Sequence, residues 1–233
     1  MTILITGASR GIGAEIVKLL SQQNDQLIFA VARDEERLNQ LVDFCHRGEN
    51  GSQVVPVVAD LSSLSYGSLL EVVGRHAKNI DAVIHNAGLL VNKPFEAVSA
   101  SDFDAVFNTN VKVPFFLTQA LLPWLGAGSH VLAISSMGGF QGSVKFGGLS
   151  VYSAAKGALA VLAEALATEL LHRQVSVNAL ALGAVQTEML QQAFPGYQAP
   201  VTALQMAEFI VWFAGNGHKV MNGKVVPVAM SNP

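Results

Sequence analysis

Short runs of β-branched residues alternate regularly with longer helical patterns, and this alternation constrains the fold more than any other feature of the chain. The runs that predict strands lie at residues 3–6, 27–32, 54–58, 81–85, 130–135, 175–180 and 225–228. The helical patterns cover residues 11–23, 34–46, 63–78, 101–125, 152–173 and 202–214. Strands that alternate with helices and are almost continuously apolar predict an α/β fold, in which helices cover both faces of a doubly wound parallel sheet. Because no linker interrupts the pattern, we expect residues 1–233 to form a single domain.

Two prolines predict the order of the seven strands. Pro56 lies inside the third predicted strand and Pro227 inside the seventh. Proline cannot donate a hydrogen bond to a central ladder, so both strands are expected at the edges of the sheet. The order 3-2-1-4-5-6-7 places them there. In that order the sheet reverses between its first and fourth strands, and a ligand is expected at the carboxyl ends of those two strands.

The composition excludes two classes of partner. Hydrophobic residues make up 51% of the chain and charged residues 13%, about half the charged share of an average globular protein. No stretch of 18 or more apolar residues occurs, so no membrane-spanning helix is predicted. A net charge of −3 without a basic run provides no binding surface for nucleic acid. We therefore expect neither a membrane nor a nucleic acid as partner.

Cysteine and histidine usage argue against disulfides and metals. Cys45 is the only cysteine, so an intramolecular disulfide is excluded. Neither its neighbour His46 nor the other histidines show the spacing of metal ligands, and no metal is predicted. The N-terminus leads directly into an apolar strand without the basic segment and cleavage site of a signal peptide. The cytoplasm is therefore the expected location.

A glycine-rich turn follows the first predicted strand and opens the first helix. It reads Thr6-Gly7-Ala8-Ser9-Arg10-Gly11-Ile12-Gly13. Such a turn lets the backbone approach a pyrophosphate, which then lies at the helix N-terminus as in a Rossmann fold. Its spacing, Gly-x-x-x-Gly-x-Gly, resembles the glycine motif of the short-chain dehydrogenase/reductase family. The resemblance covers essentially the whole chain.

The residues after the second strand predict the type of dinucleotide. About 20 residues beyond the glycine turn, an acid would bind the adenosine ribose of NAD, whereas an arginine would accommodate the 2′-phosphate of NADP. This sequence has Ala32 and Arg33 there, and Arg10 provides a second cation. Asp34 is interpreted as the N-cap of the next helix. We therefore expect NADP(H) rather than NAD(H).

Tyr152 and Lys156 are four residues apart, on one face of a predicted helix. They resemble the Tyr-x-x-x-Lys pair of the family. At roughly 5 Å and an effective dielectric near 20, an ammonium stabilises a phenolate by about 3 kcal/mol, so we expect Lys156 to lower the pKa of Tyr152 by somewhat more than ~2. The resemblance implies that Tyr152 is the general acid or base and that Lys156 also holds the nicotinamide ribose.

The resemblance implies two further catalytic residues. Ser136 is assigned the hydroxyl that positions the substrate carbonyl, with Ser135 as the alternative, because a glycine-rich segment longer than usual separates the serines from Tyr152. Asn110 matches the residue whose main-chain carbonyl holds a water of the proton relay. Pro114 supports this assignment, because it has no N–H to donate to that carbonyl and is expected to kink the helix there.

The resemblance also assigns cofactor contacts at the ends of other strands. Asp60 and Leu61 would lie near the adenine, and Asn86, Ala87 and Gly88 would support it, while Val185 and Thr187 would hold the nicotinamide carboxamide. The complete predicted cofactor site consists of Gly7, Ser9, Arg10, Ile12, Gly13, Arg33, Asp60, Leu61, Asn86, Ala87, Gly88, Tyr152, Lys156, Val185 and Thr187.

The implied activity is that of an NADP(H)-dependent carbonyl reductase or alcohol dehydrogenase, with a small-molecule carbonyl or alcohol as substrate. The alternative is a catalytically inactive dinucleotide-binding sensor on the same fold, which would not need the set Asn110, Ser136, Tyr152 and Lys156. The helix that begins near Tyr152 is apolar over more than one stripe. As in the family, we expect it to form a homodimer or homotetramer together with residues 101–125.

Overall fold

The computed structural model describes residues 1–45 and 51–230, which contain a seven-stranded parallel sheet with helices on both faces. The strands are β1 (Thr2–Thr6), β2 (Leu27–Ala32), β3 (Gln53–Val58), β4 (Ala82–His85), β5 (His130–Ser136), β6 (Ser176–Leu182), β7 (Val185–Gln186), β8 (Val201–Thr202) and β9 (Val225–Val228). The sheet order is β3-β2-β1-β4-β5-β6-β9. The predicted topology is therefore confirmed. The short strands β7 and β8, which were not predicted, pair with each other outside this sheet.

Eight α-helices occur in the described residues, and five of them match predicted helices closely. The helices are α1 (Gly11–Ser21), α2 (Glu35–Cys45), α3 (Gly67–His76), α4 (Ala100–Phe107), α5 (Val113–Leu121), α6 (Ser150–Glu169), α7 (Glu188–Ala193) and α8 (Ala203–Asn216). The prediction for α2 extends to His46, which lies outside the described residues. Helix α7, between β7 and β8, was not predicted.

The prolines lie at the two edges of the sheet, as expected. Pro56 pairs in register with Ala30 of β2, and Pro227 pairs with Ala181 of β6. An edge strand has one side without a ladder, where the missing proline N–H breaks no pairing. The same prolines also make the edges poor templates for another strand.

The core has two layers because both faces of the sheet are covered. Ile3 and Ile5 of β1 pack with α1, α2 and α8 on one face, whereas Leu4 packs with α3, α5 and α6 on the other. Phe213 and Phe29 are among the largest fully buried side chains, one in each layer, and each stabilises the fold by roughly 1.5–3 kcal/mol. Strands buried on both faces account for much of the apolar composition.

The predicted helix at residues 101–125 is divided, and this corrects the prediction of one kinked helix. Between α4 and α5 the chain forms a π-helical turn at Asn108–Lys112, and a 3₁₀ turn at Leu122–Trp124 follows α5. Pro114 cannot donate to the carbonyl of Asn110. The hydrogen bonds widen to the π pattern instead, with the Val113 N–H donating to the Asn108 carbonyl.

Helix α6 is the one helix of the described residues that is long and apolar enough, by length and composition, to cross a membrane. Ala155, Leu159 and Ala163 on one face of it are buried, and the helix packs against β5 and β6. Such packing is typical of a core helix. The predicted helix at 152–173 ends earlier than expected, since a 3₁₀ turn covers Leu171–Arg173.

Candidate active site

A cleft of about 810 Å³ lies at the carboxyl ends of β1, β4 and β5, where the strand order reverses between β1 and β4. Its size is that of a cofactor or small-molecule site. Of the predicted site residues, those that line it are Gly7, Ser9, Arg10, Ile12, Arg33, Asp60, Leu61, Asn86, Ala87, Gly88, Ser136, Tyr152, Lys156, Val185 and Thr187. Gly13 and Asn110 do not line the cleft and lie behind the residues that do.

The glycine turn is packed too closely for side chains. Gly7 has a φ of +67°, and a Cβ there would lie 2.8 Å from the Ala87 Cα. A Cβ on Gly13 would lie 2.2 Å from the Gly7 carbonyl oxygen. The Asn86 side chain donates to the carbonyls of Thr6 and Gly7, both at 3.1 Å. These contacts hold the glycine turn against the turn after β4, so Gly13 shapes the cleft without lining it.

The N-terminus of α1 opens into this cleft. Arg10 is the N-cap residue, and among the described residues its side chain makes no capping hydrogen bond. The first backbone N–H groups of the helix, starting at Gly11, are therefore available to an anion. This arrangement is suited to a pyrophosphate.

The two serines at the end of β5 differ in their contacts. Ser135 is buried, and its hydroxyl donates to the main-chain carbonyl of Lys156 at 2.7 Å. Ser136 accepts the Gly138 N–H at 3.1 Å and hydrogen-bonds to the Tyr152 phenol. Ser135 thus attaches β5 to α6, whereas Ser136 lies beside the tyrosine.

Lys156 is buried and Tyr152 is partly buried, and the loss of water perturbs the pKa values of both. The Lys156 ammonium is buried, donates to the Ile134 carbonyl at 2.8 Å and lies 5.7 Å from the centre of the Tyr152 ring. Burial lowers the pKa of Lys156 to about 8. Burial also raises the pKa of Tyr152 to about 12, although the Ser136 hydrogen bond acts in the opposite direction. The expectation that Lys156 lowers the pKa of Tyr152 is therefore wrong for the protein alone, since desolvation dominates.

Asn110 lies on the π-helical turn and is fully buried. Its side-chain NH₂ donates to the carbonyls of Leu89 and Val106, at 2.8 and 2.9 Å. Its Oδ1 has no hydrogen-bond partner in the described part of the chain. A Cβ on Gly88 would lie 3.1 Å from this oxygen and 3.5 Å from the Lys156 Nζ. The glycine thus leaves a small polar space between the asparagine and the lysine.

Comparison with known proteins identifies the family. The sequence matches the model of the short chain dehydrogenase family over residues 1–198. The chain belongs to this family. It is 32% identical over 187 residues to hydroxynaphthalene reductase-like protein Arp2 of Metarhizium brunneum, which covers 80% of this chain and 68% of that protein.

Two solved structures are similar to this short-chain dehydrogenase over nearly its whole length. A short chain dehydrogenase of Shigella flexneri complexed with NADP has a TM-score of 0.86 at 29% identity, covering 97% of this chain and 95% of that one. A short chain dehydrogenase of Burkholderia cenocepacia in complex with NADP has a TM-score of 0.83 at 25% identity, with the same coverage. The family and the fold expected from the glycine motif are confirmed.

The adenosine end of the cleft in this short-chain dehydrogenase is rich in charge. The Ser62 hydroxyl, at 2.6 Å, is the main cause that lowers the pKa of Asp60, and Arg33 lowers it further. Asp34 accepts the backbone N–H of Arg37 at 3.0 Å, which confirms its interpretation as an N-cap. Asp60 likewise caps the 3₁₀ turn after β3. The two acids near Arg33, Asp34 and Asp60, therefore each cap a turn of the backbone.

Two residues in the cleft, Arg37 and Glu188, were missed by sequence reasoning. Arg37 Nη1 lies 3.0 and 2.9 Å from the two carboxylate oxygens of Glu188, and Arg10 Nη1 lies 3.3 Å from one of them. The hydrogen bond from Arg37 is the main cause that lowers the pKa of Glu188. Glu188 directly follows Thr187, the N-cap of α7, which is the one signal that placed it near the site. No local pattern pairs it with an arginine 151 residues away.

The described residues offer little for a metal. Within residues 1–45 and 51–230, no group of three or more His, Cys, Asp or Glu side chains could hold an ion. His46, considered above with Cys45, lies outside these ranges.

Proposed function

We propose that this short-chain dehydrogenase is an NADP(H)-dependent oxidoreductase that reduces a carbonyl compound or oxidises the corresponding secondary alcohol. The observation that carries the proposal is the convergence of Ser136, Tyr152 and Lys156 in the cleft that the glycine turn also lines. NADP(H), when bound, supplies or accepts the hydride at nicotinamide C4. The chain's own residues would hold the carbonyl and move the proton.

The protein groups suit proton donation in the reducing direction. Ser136 and Tyr152 can both direct a hydroxyl at one carbonyl oxygen. With its pKa raised to about 12, Tyr152 holds its proton at neutral pH, and an alkoxide oxygen is a stronger base than a phenolate. The proton therefore passes from the phenol to the former carbonyl oxygen, and the Lys156 ammonium stabilises the phenolate left behind.

The choice of NADP(H) rests on the cations at the adenosine end. Arg10, Arg33 and Arg37 all line this part of the cleft, and arginine binds a phosphate through paired hydrogen bonds. Ala32 stands where an acid would bind the ribose of NAD. The two similar structures described above contain NADP, which agrees with this choice.

The substrate is proposed to be an uncharged, largely apolar carbonyl compound. Seven residues form an apolar wall next to α6 and α7, namely Leu90, Phe146, Leu149, Met189, Leu190, Phe194 and Tyr197. Nearby polar side chains are already engaged: the Asn92 side chain donates to the Ala193 carbonyl, and the Gln186 side chain accepts the Ala199 N–H, both at 2.8 Å. Polarity at this end is concentrated on Ser136 and Tyr152, where a carbonyl oxygen would lie.

Tyr152→Phe tests the proposed chemistry. We expect the variant to lose turnover while its NADPH affinity stays nearly unchanged, because the phenol oxygen transfers the proton. NADPH oxidation is followed with neutral aromatic and aliphatic ketones, aldehydes, quinones, sugars, oxo acids and 3-oxoacyl thioesters, with NADH in parallel.

The control for this experiment is Tyr66→Phe. The Tyr66 hydroxyl is buried and has no partner among the described residues, and it lies outside the cleft, so wild-type turnover is expected. Equal turnover in Tyr152→Phe and wild type would refute the mechanism. NADPH binding without oxidation of the cofactor by any compound of the panel would favour the inactive sensor instead.

A homodimer or homotetramer is also proposed, through residues 101–125 and 152–173. Phe103, Phe115, Phe116, Val161 and Leu171 are exposed in this region. Large exposed apolar side chains are a feature of association surfaces. Sedimentation velocity at micromolar concentration is expected to show a dimer or tetramer, and a monomer would contradict the proposal.

A further inference from the structure

The contacts of Glu188 join three segments that are distant in sequence. Its carboxylate contacts Arg37 in the first turn of α2 and Arg10 in the glycine turn. Glu188 itself lies in the first turn of α7. Arg37 is also held from the other side by Asp34, at 3.3 Å from its Nε. Of the three cations at the adenosine end, Glu188 therefore engages two.

We propose that the Glu188 carboxylate is an internal competitor of the 2′-phosphate, which occupies the phosphate-binding groups of Arg10 and Arg37 until the phosphate displaces it. The inference rests on the proposed use of NADP(H). It adds that the preference for NADPH over NADH is smaller than the arginines alone would give, because an acid of the protein competes with the 2′-phosphate for two of them.

The difference in charge favours binding of the 2′-phosphate over the Glu188 carboxylate at these arginines. A phosphate monoester carries a charge near −2 at neutral pH and has three acceptor oxygens, whereas the Glu188 carboxylate carries −1. The side chains of Arg10, Arg37 and Glu188 are 46%, 44% and 46% exposed, so water screens their pairing and keeps it weak. A phosphate can displace such a carboxylate. The ribose hydroxyl of NADH has no charge with which to do so.

Displacement of Glu188 is also expected to affect α7, which contributes to the substrate end of the cleft. Met189 and Leu190, which follow it on α7, belong to the apolar wall. The Arg10 and Arg37 contacts hold the start of this six-residue helix, and Asn92 holds its end through the Ala193 carbonyl. Release of the carboxylate removes one of the contacts that hold this helix, while the Thr187 cap and the pairing of β7 with β8 remain. Binding of the phosphate is therefore expected to loosen the start of α7.

The test measures Kd for NADPH, NADH and adenosine 2′,5′-bisphosphate in wild type and Glu188→Gln. Removing the competing charge is expected to tighten NADPH and the bisphosphate about two- to fivefold, a range typical of exposed ion pairs, and to leave NADH unchanged. Glu71→Gln is the matched control, because Glu71 forms an exposed ion pair with Arg75 on α3. It should alter none of the three affinities.

Hydrogen exchange in residues 188–194 provides a readout that does not depend on affinity. The bisphosphate, which lacks the nicotinamide, is expected to raise exchange there in wild type. In Glu188→Gln exchange should already be raised without it. Exchange that the bisphosphate leaves unchanged in wild type would overturn the coupling to α7.

Three outcomes of the titrations overturn the proposed competition. Unchanged NADPH affinity in Glu188→Gln would show that Glu188 does not compete with the phosphate. Weaker NADPH binding in the variant would show that Glu188 helps to hold the cofactor. Equal tightening of NADPH and NADH would show that Glu188 repels both dinucleotides through its charge. Each of these leaves the proposed function intact if wild type prefers NADPH to NADH. A wild type without that preference refutes the proposed cofactor itself.

Discussion

Lys156→Met should stabilise the folded chain while it removes activity. Burial lowers the pKa of Lys156 from its ordinary value of 10.5 to about 8. At pH 7 the folded protein therefore holds an ammonium at a cost of about 3 kcal/mol relative to the unfolded chain. The variant also loses the hydrogen bond to the Ile134 carbonyl, which contributes about 1 kcal/mol. The net gain in unfolding free energy is about 2 kcal/mol, or roughly 4–8 °C in Tm for a chain of this size.

The dependence of this gain on pH separates it from an effect of packing. Between about pH 8 and 10.5 the unfolded lysine still binds a proton that the folded one has lost, so the stability of wild type rises with pH. The advantage of Lys156→Met is therefore largest below pH 8 and disappears towards pH 10.5. Urea unfolding of both proteins across this range measures it, with the exposed Lys78→Met as control. A variant less stable than wild type at pH 7, or a difference independent of pH, would refute the reasoning.

Two further predictions concern the cofactor end and the serines. Arg33→Asp is expected to raise the Kd for NADPH more than about tenfold, because a charge-assisted hydrogen bond to phosphate is lost. The same variant is expected to bind NADH more tightly. An unchanged ratio of the two affinities would exclude a role for Arg33 in cofactor preference. Ser135→Ala is expected to lower the unfolding free energy by about 1–2 kcal/mol and retain turnover. Ser136→Ala should lower kcat about 100-fold and leave the unfolding free energy unchanged. If kinetics and urea unfolding instead show lost turnover in Ser135→Ala and lost stability in Ser136→Ala, the positioning hydroxyl is that of Ser135.

The sheet could be predicted from the sequence because its determinants are local. A run such as Ile3–Thr6 is apolar on both faces whatever surrounds it, and a proline such as Pro56 is excluded from a central ladder by its own chemistry. Strand order followed from these two facts together with the known topology of doubly wound sheets. The residues of the glycine turn were found in the same way, since tight turns and close backbone contacts restrict the choice to glycine.

The parts that were missed depend on contacts between distant segments. The π-helical turn at Asn108–Lys112 results from one absent N–H at Pro114, and a helical pattern does not show whether the chain will kink or change its hydrogen-bond register there. The Glu188 carboxylate has no sequence neighbour that indicates its partners. Ser135 and Ser136 could be distinguished only once α6 was seen to pack on one of them.

The raised pKa of Tyr152 shows that its distance from the Lys156 ammonium does not by itself determine its acidity. The fold buries the Lys156 ammonium and partly removes water from the Tyr152 phenol, and both effects act against the attraction between the two charges. Burial disfavours the charged form of each group. It therefore opposes formation of both the Lys156 ammonium and the Tyr152 phenolate, although these two charges attract each other. A lysine placed in this way reduces the stability of the fold, and in the proposed mechanism it stabilises the phenolate that Tyr152 becomes after giving up its proton. The same burial that destabilises the resting site therefore strengthens the interaction of the two charges once the proton has moved.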